Sequence, residues 1–151
     1  MDNKAIRLEA RTLLADKWEK LVLVWLILYA IDIVISSLTK WSFILILIIA
    51  GPLDLGIHTI FLKIFRGEDF KIEEIFNGFK DFRRALETYL LRTFYILLGF
   101  ILLIVPGIII AISHSMSFFI LAENPNIKPK DALRLSKQMM YGHKTKYFML
   151  M

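Results

Sequence analysis

The chain has 151 residues and a mass of 17.6 kDa; 57% of it is apolar, the mean hydropathy is +0.60, the net charge is +5 and cysteine is absent. This balance is too apolar for a small water-soluble core, and it excludes a disordered, collagenous or disulfide-stapled chain and any thiolate chemistry. The 19 Lys and Arg against 14 Asp and Glu are clustered between apolar runs, which assigns the surplus to loops beside anionic lipid and not to nucleic acid.

Residues 1–20 read as a cytoplasmic amphipathic helix, with Ile6, Ala10, Leu13 and Leu14 on one side and Lys4, Arg7, Arg11 and Lys17 elsewhere. No small-residue cleavage site follows the next apolar run, so a secretory signal is not expected. That run, Leu21–Leu38, holds twelve Leu, Ile and Val residues and one charge, Asp32. Their insertion is worth about −5 kcal/mol in total against about +3 for a central Asp, so the run is predicted to cross the bilayer. A turn at 36–40 and an interfacial anchor, Trp41, precede a second run over 43–65, which Gly51-Pro52 and Gly56 are expected to kink or unwind.

The 66–88 segment is polar, yet Ile75, Phe76, Phe79, Phe82 and Leu86 recur at helical spacing. One or two helices divided near Gly78 are predicted, with two readings side by side: aromatic faces in the lipid interface, or packing on the protein's own cytoplasmic ends. The 34 residues from Tyr89 to Ala122 are too many for one crossing. A hairpin turning at Pro106-Gly107 places all three basic segments on the cytoplasmic side, as the positive-inside rule requires. Residues 123–151 then form a cytoplasmic helix, with Pro129 in its first turn, Ala132, Leu135, Met139 and Met140 on its apolar side and a stop at Gly142. The resulting fold class is all-α: a single multi-pass membrane domain over 1–151, with four spans (20–38, 43–65, 89–105 and 107–122) as two hairpins plus amphipathic interfacial helices, and both termini cytoplasmic.

The ordered set Gly51-Pro52-Leu53 with Gly56, Arg66-Gly67-Glu68, Phe76-Asn77-Gly78-Phe79, Val105-Pro106-Gly107-Ile108, Leu121-Ala122-Glu123-Asn124-Pro125, Leu135-Ser136 and Gly142-His143-Lys144 resembles a family of bacterial integral membrane proteins catalogued as domain of unknown function 975. The resemblance implies a bacterial cytoplasmic-membrane location and carries no established activity. It departs at Ile110, where a basic residue is common, and at Ile112 and His114, where tyrosines are common. It also implies further spans after residue 144. Because Tyr147–Met151 supply only a turn and a half of apolar helix, the expectation is an incomplete version of that fold.

Four side chains in the spans are candidates for a polar site: Asp32, Asp54, His58 and His114. Asp54 and His58 share a helix face at i,i+4, a spacing that suits a cation or a proton relay, while the bland alternative is a pair hydrogen-bonded inside the bundle. For His114 an interhelical hydrogen bond is the expected role. No phosphate loop, HExxH, paired carboxylates or Ser/His/Asp set occurs, so neither an enzyme nor a cofactor or metal is expected. The expected partners are the lipid bilayer, including anionic lipids, and a homo-oligomer or membrane partner. The leading function is a structural, lipid-interacting or partner-binding unit; the alternative is a small transporter or channel component using the intramembrane Asp and His residues.

Overall fold

The computed structural model describes residues 3–15, 17–38 and 42–150. Among these the regular structure is all helical: α1 (Asn3–Leu14), α2 (Trp18–Leu38), α3 (Ser42–Phe65), a 3-10 helix η1 (Ile72–Asp81), α4 (Phe82–Leu102), α5 (Ile104–Ser113), α6 (Ser117–Glu123), α7 (Pro129–Met139) and α8 (Lys144–Leu150). Three described segments are long and apolar enough to cross a membrane: Ile44–Phe65, Ile72–Leu102 and Ile104–Glu123. The Trp41 anchor and residues 39–40 of the predicted turn lie outside the described residues, and α2 runs on through 36–38.

Both cores are built on α3. Its Leu53, Ile60 and Ile64 pack with Val24 of α2, Phe70 of the loop before η1 and Ile75 of η1. Its Leu55 packs with Ala85 of α4, Phe118, Ile120 and Leu121 of α6, and Ala132 of α7. Contrary to the sequence expectation, α3 is not interrupted at Gly51-Pro52 or Gly56. Pro52 removes one intrahelical hydrogen bond, but neighbours packed on both sides hold the helix through it. The glycines instead allow close approach. A methyl group on Gly56 would overlap the Ile75 carbonyl, and one on Gly78 would overlap the Pro52 carbonyl. Backbone therefore lies on backbone where η1 crosses α3.

The division predicted near Gly78 falls instead at Asp81 and Phe82, where η1 gives way to α4. Ile75 and Gly78 face α3 and are buried, while Phe76, Phe79 and Phe82 are exposed. In a 3-10 helix positions i and i+3 eclipse, so these three rings stand in a row, with centroids 6.3 and 6.4 Å apart. The segment packs on its own protein and also presents an aromatic row outward. Ion pairs fasten it: Lys20 to Asp69 at 2.7 Å and Lys63 to Glu74 at 2.8 Å. Hydrogen bonds from Lys20 and from the Phe70 N–H hold the Asp69 carboxyl below the usual carboxylate range. Its contribution is thus present above the unfolded carboxylate value and lost as pH falls through the folded one.

The second hairpin turns at Leu103, not at Pro106-Gly107. Leu103 alone is extended between α4 and α5, and it caps α4 through its N–H on the Gly99 carbonyl. Pro106 falls in the first turn of α5, where the amide it lacks would have had no helical partner. Gly107 meets Gly99 and the Phe100 ring across the hairpin. The tip is wholly apolar, Ile101 to Val105 being 66–75% exposed. The returning arm is not one helix either: a turn at 114–116 divides α5 from α6. The Ser136 hydroxyl of α7 bridges this break, donating to the Ser113 carbonyl at 2.8 Å and accepting from the Met116 N–H at 3.1 Å. Arg84 of α4 closes the other end of α6 by donating to the carbonyls of Leu121, Asn124 and Ile127. Ala132, Leu133, Ser136 and Met140 are buried along and just beyond α7, whereas Leu135 and Met139, placed on its apolar side by sequence, are exposed. Arg134 and Lys137 therefore face away from the core with them.

Gly56→Ala and Gly78→Ala decide whether the helix crossing matters. Alanine favours helix by up to about 1 kcal/mol over glycine, while forced overpacking costs about 1–3 kcal/mol. Because backbone cannot yield as a side chain can, both variants are expected to lower the thermal midpoint in detergent, with Leu97→Ala on the exposed face of α4 as the unaffected control.

Candidate functional site

Asp54 and His58 lie one turn apart on α3, as their spacing predicts. The imidazole Nδ1 is 3.6 Å from an Asp54 carboxylate oxygen and 2.7 Å from the Asp54 carbonyl oxygen. Since a carbonyl only accepts, Nδ1 carries a proton. The third member is Arg92 of α4, whose Nη1 lies 3.4 Å from the other Asp54 oxygen. Phe118 and Phe119 of α6 cover the group. The Arg92 guanidinium sits 5.7 Å from the Phe118 ring centre, and the edge-on Phe119 ring is 4.4 Å from the imidazole. Three elements thus meet at one carboxylate.

Sequence reasoning passed over Arg92, although its signal was present. It is the single Asp, Glu, Lys or Arg between Tyr89 and Ala122, and a cation inside an apolar run needs a counter-ion. The nearest charge of opposite sign in an adjoining span was Asp54.

Asp32 joins this site by a different route. A cavity of about 390 Å³ opens between α2 and α3, and both Asp32 and Asp54 line it, with Leu28, Ile31, Ile57 and the Tyr89 ring among its walls. Its size falls within the range of small-ligand pockets, but its walls are mostly aliphatic. Among the described residues no group of three or more His, Asp or Glu could hold a metal ion. His114 is not brought to this group. It stacks on Tyr95 at 5.7 Å, its Nδ1 lies 3.0 Å from the Ile110 carbonyl oxygen, and it lines a second cavity between α5, α7 and α8. The helix-break residues Gly51, Pro52, Gly56, Pro106 and Gly107 line neither cavity.

Chemically, the Asp54 carboxylate accepts a hydrogen bond from Arg92, while the nearby imidazole gives its Nδ1 proton to the Asp54 carbonyl. An added cation would have to compete with Arg92, so the group serves as an interhelical tie between α3 and α4.

A family described as "Protein of unknown function (DUF975)" matches residues 1–115. The chain belongs to that family. Asp32, Asp54, His58, Arg92 and His114 all fall inside the matched stretch, while the motifs at 121–125, 135–136 and 142–144 lie beyond it. No curated protein and no solved structure matches the chain.

Breaking the tie from one side should cost more than removing it whole. Loss of one partner in a fully buried pair costs 3–5 kcal/mol, and because Asp54 and Arg92 are about a quarter exposed, roughly 1–2 kcal/mol is expected for Asp54→Asn or Arg92→Gln. In a double-mutant cycle read by thermal stability in detergent, the double variant should recover part of the loss. Strict additivity would mean that the two groups do not interact.

Proposed function

We propose that the chain is a multi-pass protein of the bacterial cytoplasmic membrane with both termini on the cytoplasmic side, and that it acts as a lipid-interacting or partner-binding structural unit without enzymatic activity. The observation that carries this reading is the distribution of charge. Within the apolar helices Asp54, His58 and Arg92 engage one another, whereas the cations of α7 point away from its buried face. Apolar surface supports it too. Large hydrophobics stand exposed along α2 and around the tip of the α4–α5 hairpin, more than water-facing surfaces tolerate. At the hairpin tip the N–H groups of Leu103 and Gly107 are bonded, to the Gly99 and Leu103 carbonyls respectively.

A second reading, a small transporter or channel component, is favoured by one observation: Asp32 and Asp54 line the same cavity. The absence of native cysteine makes labelling decisive. Under the structural reading, Ala50→Cys, on the cavity wall, resists charged membrane-impermeant thiol reagents from either side. Rapid modification from one side would favour the transport reading.

For topology, Lys130→Cys should be modified by impermeant reagents only after the membrane is opened to the cytoplasmic face, and Leu103→Cys from neither face. Labelling of position 130 in intact cells would overturn the shared cytoplasmic side of the termini. Labelling of position 103 would overturn the buried tip.

A further inference from the structure

We infer that the basic cavity between α5, α7 and α8 holds the phosphate group of an anionic phospholipid, whose acyl chains lie along the α4–α5 hairpin. The inference rests on the membrane reading above and names a ligand for it.

The cavity has a volume of about 550 Å³. Lys130, Arg134 and Lys137 reach it from α7, at i, i+4 and i+7 on one helical face, and Lys144 reaches it from the start of α8. Gly142, with φ of 78°, makes the reversal that brings α8 back to this side. No carboxylate lines the cavity. Among the described residues the ion pairs use Lys20, His58, Lys63, Arg66, Arg84 and Arg92, and none uses these four cations. Four like charges converging without a counter-ion repel one another, so the site favours an anion. Lysine ammonium groups and a forked guanidinium are the donors that bind phosphate oxygens. The buried side of α7, through Ala132, Leu133 and Ser136, fixes the cationic face in place.

The opposite wall says what carries the phosphate. It is made by Tyr95, Ile109, Ile110, Ser113 and His114, and of these Tyr95 and Ile109 are exposed. From there both arms continue without a polar side chain to the tip at Leu103. Eight residues separate Tyr95 from Leu103 in sequence, about 12 Å at 1.5 Å per residue. One leaflet of hydrocarbon is about 15 Å deep, half of the usual core. With the cations at headgroup level, the part of the hairpin beyond Tyr95 extends over most of one leaflet's depth and offers an acyl-length apolar flank directly above the charges. A free phosphate would have no use for that flank.

The test uses the full chain purified in a neutral detergent, equilibrated with phosphatidylglycerol or phosphatidylcholine and read by native mass spectrometry. The native chain is expected to retain phosphatidylglycerol in preference to phosphatidylcholine. Arg134→Gln with Lys137→Gln should weaken that retention by about tenfold or more, as loss of two charge contacts with an anionic lipid implies. The pair Lys80→Gln with Lys128→Gln, outside the cavity, should leave retention unchanged, and Arg134→Lys with Lys137→Arg should preserve most of it. If the double glutamine variant fails to fold, Lys144→Gln alone gives the same reading from the other helix. Equal retention by the cavity variants, or equal retention of both lipids, overturns the inference. Displacement of the lipid by millimolar glycerol phosphate overturns it as well, because the site would then belong to a soluble phosphoester. Release of the native chain from membranes by alkaline carbonate would instead sink the membrane reading itself, whereas a chain that stays membrane-bound without headgroup preference sinks only this inference.

Discussion

Where η1 crosses α3, at Gly56 against Ile75 and at Gly78 against Pro52, no side chain separates the two backbones. Two helices ordinarily pack 8–10 Å apart because side chains fill the gap; here the gap is closed. The contact folds the chain leaving α3 back along that helix, so that α4 begins beside Gly51, where the Ala85 carbonyl packs, and not a helix length away. Everything downstream inherits that starting point. Arg92 reaches Asp54 because α4 starts there, and Phe118 and Phe119 reach His58 because α6 returns against the same face of α3.

Where the helices break or end, backbone carbonyls and surface charges are met by side chains from another element. Ser136 bridges the broken arm between α5 and α6, Arg84 closes the far end of α6, and Arg66 pairs with Glu123 at 3.0 Å. An unsatisfied backbone group in an apolar setting costs several kcal/mol. A division of the returning arm is therefore tolerable only with α7 in place, and the buried Ser136 is as much a part of that arm as its own residues. The cations on the other face of α7 enter no ion pair among the described residues.

Much of the architecture was legible in sequence. Apolar runs of spanning length, the absence of any strand pattern and the clustering of charge all follow from composition and period, because helix formation and burial in lipid depend on local hydrophobicity. The i,i+4 pairing of Asp54 with His58 is equally local, and so is the first-turn position of Pro129. Glycine and proline were misread for a physical reason. Gly51-Pro52, Gly56 and Pro106-Gly107 weaken a helix or turn the chain when considered alone, but a glycine inside a packed helix can instead mark the point where another backbone comes close. Which of the two applies depends on the neighbour, and the neighbour is not in the local sequence.

The sequence by itself thus determined an all-helical, lipid-compatible chain with a few charges that had to find partners. Tertiary structure decided which partners: Arg92 for Asp54, a shared cavity for Asp32 and Asp54, and a separate basic cavity for His114. It also decided that the hairpin turns at Leu103, three residues before the proline, and that Leu135 and Met139 face outward while Ser136 is buried. Hydrophobic period is a property of a single helix, whereas the pairing of a charge, the closeness of two backbones and the face on which four cations converge are properties of helices brought together, and only packing sets them.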